Sequence, residues 1–203
     1  VSGLGDVYKR QILYISSLCL SSCLDIQDSY DYEPANIDNN VYMNTWEFIQ
    51  SRPDAFSSLQ TAIECSGIDL SIYTQTEKKY TYLLLHNDAF KGANGILSNY
   101  GVASIEDMNK ETLTNILLYH VIDGYYHGLG TLNFDPINVI TLWKSPNAFM
   151  TLKLNNSASI ESYSRLVIND MLGNSTPVTA MTSNILTTNG AVHVVGQEII
   201  YKP

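Results

Sequence analysis

The sequence predicts an α+β fold, and three patterns carry that prediction. Apolar residues recur at three and four positions in two segments of the first 120 residues, the spacing of amphipathic helices. In the last third they alternate, the spacing of strands with one buried face. Hydrophobic residues make up 45% of the 203 and charged residues 15%, enough to build one core and too few charges for a disordered chain. Helices mostly first and strands mostly after is the order of an α+β domain, with no internal repeat and no second domain.

Three regions follow in order. Residues 1–22 read as the remnant of a signal peptide. The chain opens on Val1 rather than Met, as a fragment or processed form does, and "VSGLGDVYKRQ" has neither helical nor strand periodicity and reads as partly foreign. Lys9 and Arg10 then precede the apolar run Ile12 to Leu20, too short to span a bilayer and laid out like a signal-peptide core. Leu20-Ser21-Ser22-Cys23 resembles a bacterial lipobox, in which a Leu and two small residues precede an acylated cysteine. Cys23 is therefore the expected lipid attachment site; a cleaved secretory signal with a chance cysteine is the alternative. Residues 23–41 are rich in Asp and Asn and read as an acidic, solvated tether. Its start loosely resembles the acidic segments that direct some lipoproteins to the cell surface.

The folded domain is expected over 42–203. Asn44 and Glu47 form a capping-box spacing for a short helix that ends before Pro53. Asp54 is the expected cap of the next helix, in which Phe56, Leu59 and Ile63 share one face and Gly67 ends the run. Cys65 on that helix reads as a small buried residue, with a reactive thiol as the alternative. "KYTYLLLH", Lys79 to His86, reads as a strand running into a loop, with Asn87 or Asp88 capping a turn around Ala89 and Phe90. The clearest helix starts at the cap Asn109, and its segment ends at Gly124. Leu113, Ile116, Leu117 and His120 fall on one stripe, which puts His120 on the buried face. "NAFMTLKLN" and "RLVIND" read as strands, and "AVHVVGQEIIY" as two runs joined by a tight hairpin at Gly196-Gln197.

Four segments in this order resemble the fasciclin domain: "FSSLQTAIECSGI", "YTYLLLHNDAFKG", "LTNILLYHVIDGYY" and "SNILTTNGAVHVVGQEII". The resemblance covers Tyr42 to Pro203. It implies a wedge-shaped β-sandwich with several short helices packed on one side, and a module of adhesion or matrix contact rather than an enzyme. It also implies that Tyr119 and His120 form the family's tyrosine-histidine motif. His193, with Asn189 and Gly190, matches its closing motif, and the role of both motifs is structural or adhesive. His86 departs from the proline common in the family, and the stretch from Leu129 to Ile160 is longer than usual.

Other chemistry finds little support. A net charge of −9 repels phosphate backbones, so nucleic acid is not an expected partner. No nucleophile elbow, nucleotide loop, zinc motif or calcium loop occurs, so no catalytic residue, metal or cofactor is expected. The sequons at Asn155 and Asn174 read as chance matches. The resulting expectation is an exported bacterial lipoprotein of the outer membrane, cell surface or periplasmic face, touching the membrane only through its lipid. Its role is non-catalytic adhesion or binding, to a surface protein, a matrix component or a glycan. Tyr125 and Tyr126 are the candidate exposed contacts. A structural envelope scaffold without external ligand is the alternative. A hydrolase of unfamiliar type is the third reading; it requires His120 or His193 in a pocket beside an accessible Ser or Cys.

Overall fold

The computed structural model describes residues 38–155, 165–170 and 176–200, and Asn39 onward forms one compact unit. Cys19, Cys23, most of the tether and Asn174 lie outside the described residues.

Helix α1 (Thr45–Ser51) starts with the expected capping box: the Asn44 side chain accepts from the Glu47 amide, and the Glu47 carboxylate accepts from the Asn44 amide. Helix α2 (Pro53–Ser66) follows at once. Its cap is Arg52 and not Asp54, because Pro53 takes the first helical position, where its fixed φ and missing N–H cost nothing. Phe56, Leu59 and Ile63 are buried, and Gly67 closes the helix in the left-handed conformation. Cys65 is half-buried and free. A short α3 (Ser71–Thr74) leads to β1 (Tyr80–Leu85).

The turn after β1 is a 3-10 segment, Asn87–Phe90. Its cap is His86, whose Nδ1 accepts from the Asp88 amide at 3.2 Å, rather than Asn87 or Asp88. Asn87 is occupied elsewhere. Its side-chain amide accepts from the Ser58 N–H and donates to the Asp54 carbonyl, groups one helical turn apart on α2. The departure at His86 thus supplies a cap that the expected residue cannot.

After α4 (Ile96–Asn99), α5 (Lys110–Tyr119) begins at the expected cap, Asn109, which accepts from the Thr112 amide. The helix ends at Tyr119, not near Gly124. His120 is its C-cap, and the β-branched pair Val121–Ile122 leaves as strand β2 to pair with β1. Beyond a short α6 (Gly128–Thr131) come β3 (Ile137–Ile140), β4 (Phe149–Leu154), β5 (Leu166–Ile168) and β6 (Val178–Thr179), an antiparallel meander. β7 (Thr182–Thr187) and β8 (Gly190–Val195) form a hairpin, and β8 returns to pair in parallel with β1. One sheet is therefore β2-β1-β8-β7 and the other β3-β4-β5-β6. They meet where Ile122 bridges to Thr141 and the Leu142 amide donates to the Val121 carbonyl.

β8 is buried throughout, since it is flanked by strands on both edges and covered on both faces. Gly196-Gln197 makes no hairpin: residues 198–200 leave the sheet and run beside α5, where Ile199 is captured by a side chain described next. The fold is α+β: two sheets with several short helices.

Candidate functional site

Each motif residue follows from the element that carries it. Asn189 sits in the β7–β8 turn with no exposed surface. Its Oδ1 accepts from the Thr45 amide at 2.9 Å and the Thr45 hydroxyl at 2.8 Å, and its Nδ2 donates to the Tyr73 carbonyl at 2.8 Å and the Tyr82 hydroxyl at 3.0 Å. The Tyr82 hydroxyl in turn donates to the Ile72 carbonyl. One amide thereby ties the start of α1 to α3, β1 and the hairpin turn. Gly190 lies opposite Tyr80 in the parallel ladder, and a Cβ there would run into the Tyr80 carbonyl. Glycine is required by close backbone approach.

Tyr119 and His120 are adjacent in sequence and diverge in space. The Tyr119 hydroxyl donates to the Phe149 carbonyl of β4 and lies 3.4 Å from the Asn169 side-chain amide just after β5. Its ring meets Trp143 edge to face, with centroids 5.8 Å apart. His120 points to the other side. Nδ1 lies 2.8 Å from the Ile116 carbonyl, and Nε2 accepts from the Ile199 amide at 3.1 Å. These partners fix the tautomer with the proton on Nδ1. The His120 carbonyl also accepts from the Leu83 amide of β1. The pair is a joint between α5, both sheets and the C-terminal segment.

His193 of β8 shares a sheet face with Thr81 and Leu83 of β1. Its Nε2 donates to the Tyr126 carbonyl at 3.0 Å, while the buried Nδ1 makes no hydrogen bond among the described residues. Thr81 holds the same loop, donating to the Gly124 carbonyl and accepting from the Tyr126 amide. Burial pushes both histidines down to about 4, and His127 adds a smaller push at His193. Both are neutral near pH 7. Neither bonds to a Ser or Cys among the described residues, so the pairing required by the hydrolase reading is not formed there.

Tyr125 and Tyr126 are half-buried. Tyr126 packs against the core and lends its backbone to Thr81 and His193. The Tyr125 ring lies 4.5 Å from that of His127, with the Lys79 ammonium 4.8 Å from its centroid.

A cleft of about 300 Å³ opens beside the Tyr119–His120 joint, between α5, the loop after β3 and the C-terminal segment. From α5 it takes Thr112, Asn115, Ile116 and Tyr119, which share one face by helical spacing. Trp143 and Asn147 from the loop after β3, with Tyr100 and with Glu198, Ile199 and Ile200 of the C-terminal segment, complete the lining. Glu198 is buried, and accepts from the Tyr100 hydroxyl at 2.9 Å and more weakly from the Asn99 amide at 3.4 Å. Burial raises its carboxyl above the usual range, and no cation pairs with it among the described residues. The side chains of Thr112, Asn115, Asn147 and Trp143 make no hydrogen bond among the described residues.

Apart from Tyr119, sequence reasoning singled out none of the cleft's polar residues. The available signals were Thr112 and Asn115 at helical spacing on the same face as apolar Ile116, and a lone Glu198 inside the apolar tail "VVGQEIIY".

The fasciclin domain family model matches residues 54–201. A solved structure of a domain pair from the insect cell adhesion molecule Fasciclin I is similar at 17% identity, with a TM-score of 0.44. The match covers 76% of this chain and 43% of that one, so this chain spans less than half the length of that relative. No curated protein matches the chain. The chain belongs to the fasciclin domain family.

Proposed function

We propose that this fasciclin domain is a non-catalytic binding module of the bacterial cell envelope, lipid-anchored through Cys23 and offering the cleft beside Tyr119 to an external ligand. One observation carries the binding reading: the side chains of Thr112, Asn115, Trp143 and Asn147, which line the cleft, make no hydrogen bond among the described residues. Elsewhere the fold pairs its buried polar groups densely, as at Asn189 and His120. Unpaired donors and acceptors converging on a concavity are what a ligand site presents before its ligand arrives. The motif histidines support the non-catalytic part. A general base needs a free, titratable nitrogen within reach of a substrate proton. His120 has both ring nitrogens engaged and His193 is wholly buried.

The anchor rests on the order of apolar run, small residues, cysteine and polar tether in the sequence. No helix among the described residues is long and apolar enough to cross a membrane. Membrane fractionation with surface protease shaving, on wild type and Cys23→Ala, tests it. Wild type is expected in the membrane fraction and shaved from intact cells, with the variant released. A soluble wild type indifferent to the substitution removes the anchor.

A further inference from the structure

We infer that the cleft walled by Thr112, Asn115, Trp143, Asn147 and Glu198 is a saccharide site that takes a neutral sugar unit of a glycan. The inference rests on the binding-module reading and names its ligand class and its residues.

The donor and acceptor inventory selects the class. The Glu198 carboxyl oxygens accept from Tyr100 and Asn99, and the Trp143 indole N–H only donates. The Thr112 hydroxyl and the two asparagine amides do both. A lipid tail would satisfy none of these groups and leave them buried and unpaired. An ammonium group would satisfy Glu198 and leave the indole and amide donors without acceptors. A phosphate or carboxylate ligand would find no Lys or Arg among the described residues that line the cleft, in a chain of net charge −9. A peptide that binds by adding a strand needs a free sheet edge for its backbone. The described lining comes from a helix, loops and the C-terminal segment instead.

A sugar ring fits each requirement. Every hydroxyl donates and accepts, so neighbouring hydroxyls can meet an amide or carboxylate in pairs. The apolar C–H face of the ring has Trp143 and Tyr100 to lie against, and Trp143 packs at right angles to the Tyr119 ring. The volume, about 300 Å³, is at the small end of ligand pockets, suited to a terminal unit rather than to a long chain segment. Tyr119 thereby gains a second consequence: anchored to Phe149, it fixes the aromatic wall of the site.

The test uses the full chain on a printed array of neutral oligosaccharides ending in glucose, galactose, mannose or N-acetylglucosamine. Hits are then titrated by ligand-observed NMR and by tryptophan fluorescence, with Trp143→Ala separating the Trp143 signal from that of Trp46. We expect binding to one terminal sugar class. Asn115→Ala should weaken it by about tenfold with unchanged thermal unfolding, since its amide holds nothing in the fold. Glu198→Gln should weaken it by a similar factor, and Trp143→Ala should abolish it. Glu77→Ala, exposed and outside the cleft, should leave it unchanged. No binding by the folded chain at about 10 mM sugar overturns the inference. So does binding indifferent to Asn115→Ala and Trp143→Ala, or displacement by peptides and not by sugars. Failure here is separable from failure of the binding-module reading. A surface-anchored protein that binds a surface protein through another face loses only the sugar site, whereas loss of surface anchoring overturns the location whatever the sugar result.

Discussion

The Asn189 hub and the Trp143 cleft both gather asparagine, threonine and aromatic side chains, yet their polar atoms are in opposite states. At the hub, one amide makes bonds to three chain segments, and every partner is itself buried or part of an element. At the cleft, two amides, a hydroxyl and an indole N–H belong to lining side chains that make no hydrogen bond among the described residues. The same residue types hold the fold in one place and, in the proposed reading, recognise a ligand in the other. Burial with satisfaction marks structure; concavity without satisfaction marks recognition. Tyr119 and His120 stand on the border, their polar groups spent on the fold and one tyrosine face left to the cleft.

Acid should break the satisfied region most. His120 and His193 have folded values of about 4 against 6.5 when unfolded, so between those values the unfolded chain binds more protons. Their contribution is full above pH 6.5 and is lost as pH falls toward 4. The loss is about 3 kcal/mol per histidine over that window and about 2 by pH 5. Glu198, raised by burial, works in the opposite sense and offsets a part. Urea unfolding at pH 7 and pH 5 should show a steep loss; equal stability at the two would mean the histidines are protonated without cost, hence solvated.

Asn189→Ala comes next. It orphans the Thr45 amide and the Tyr73 carbonyl and empties a buried position, for a loss of about 3 to 4 kcal/mol. Chemical denaturation reads it directly. His120→Ala should follow at about 1–3 kcal/mol, freeing the Ile116 carbonyl and the Ile199 amide. Because Ile199 and Tyr119 both line the cleft, this variant should also loosen ligand binding, whereas Asn189→Ala in its still-folded fraction should not. A His120→Ala protein with unchanged melting and lost binding would reverse the assignment and make the histidine a contact.

Much of the fold was legible from local rules, and the exceptions have physical causes. The cap at Asn44, the cap at Asn109 and the apolar stripe of α5 are decided within one or two helical turns, so spacing reveals them. The end of α5 is not local: Val121 and Ile122 leave the helix because β1 offers them a pairing edge far away in sequence. The same holds at the C-terminus. Gly196-Gln197 looks like a hairpin turn, but β8 already has neighbours on both edges and no room for a further strand. The motif residues were found through family resemblance, and their spacing alone did not reveal the bonds they make. The cleft was invisible because Thr112, Trp143 and Glu198 come together only when helix, loop and tail converge.

The smallest expected effect discriminates best between the two regions. Glu198 is a buried carboxylate held by one good hydrogen bond and one long one, and burial disfavours its charge. Its ionised form therefore costs stability instead of adding it. Glu198→Gln removes that charge and keeps an oxygen for the Tyr100 hydroxyl, so the melting temperature should stay level or rise, by the equivalent of about 1 kcal/mol or less. The gain should shrink as pH falls, because protonation neutralises the wild-type carboxyl as well. A substitution that lowers stability would place Glu198 with Asn189, as a group the fold needs. One that raises stability while binding falls would show a site maintained at the expense of the fold, which is how a recognition residue differs from a structural one.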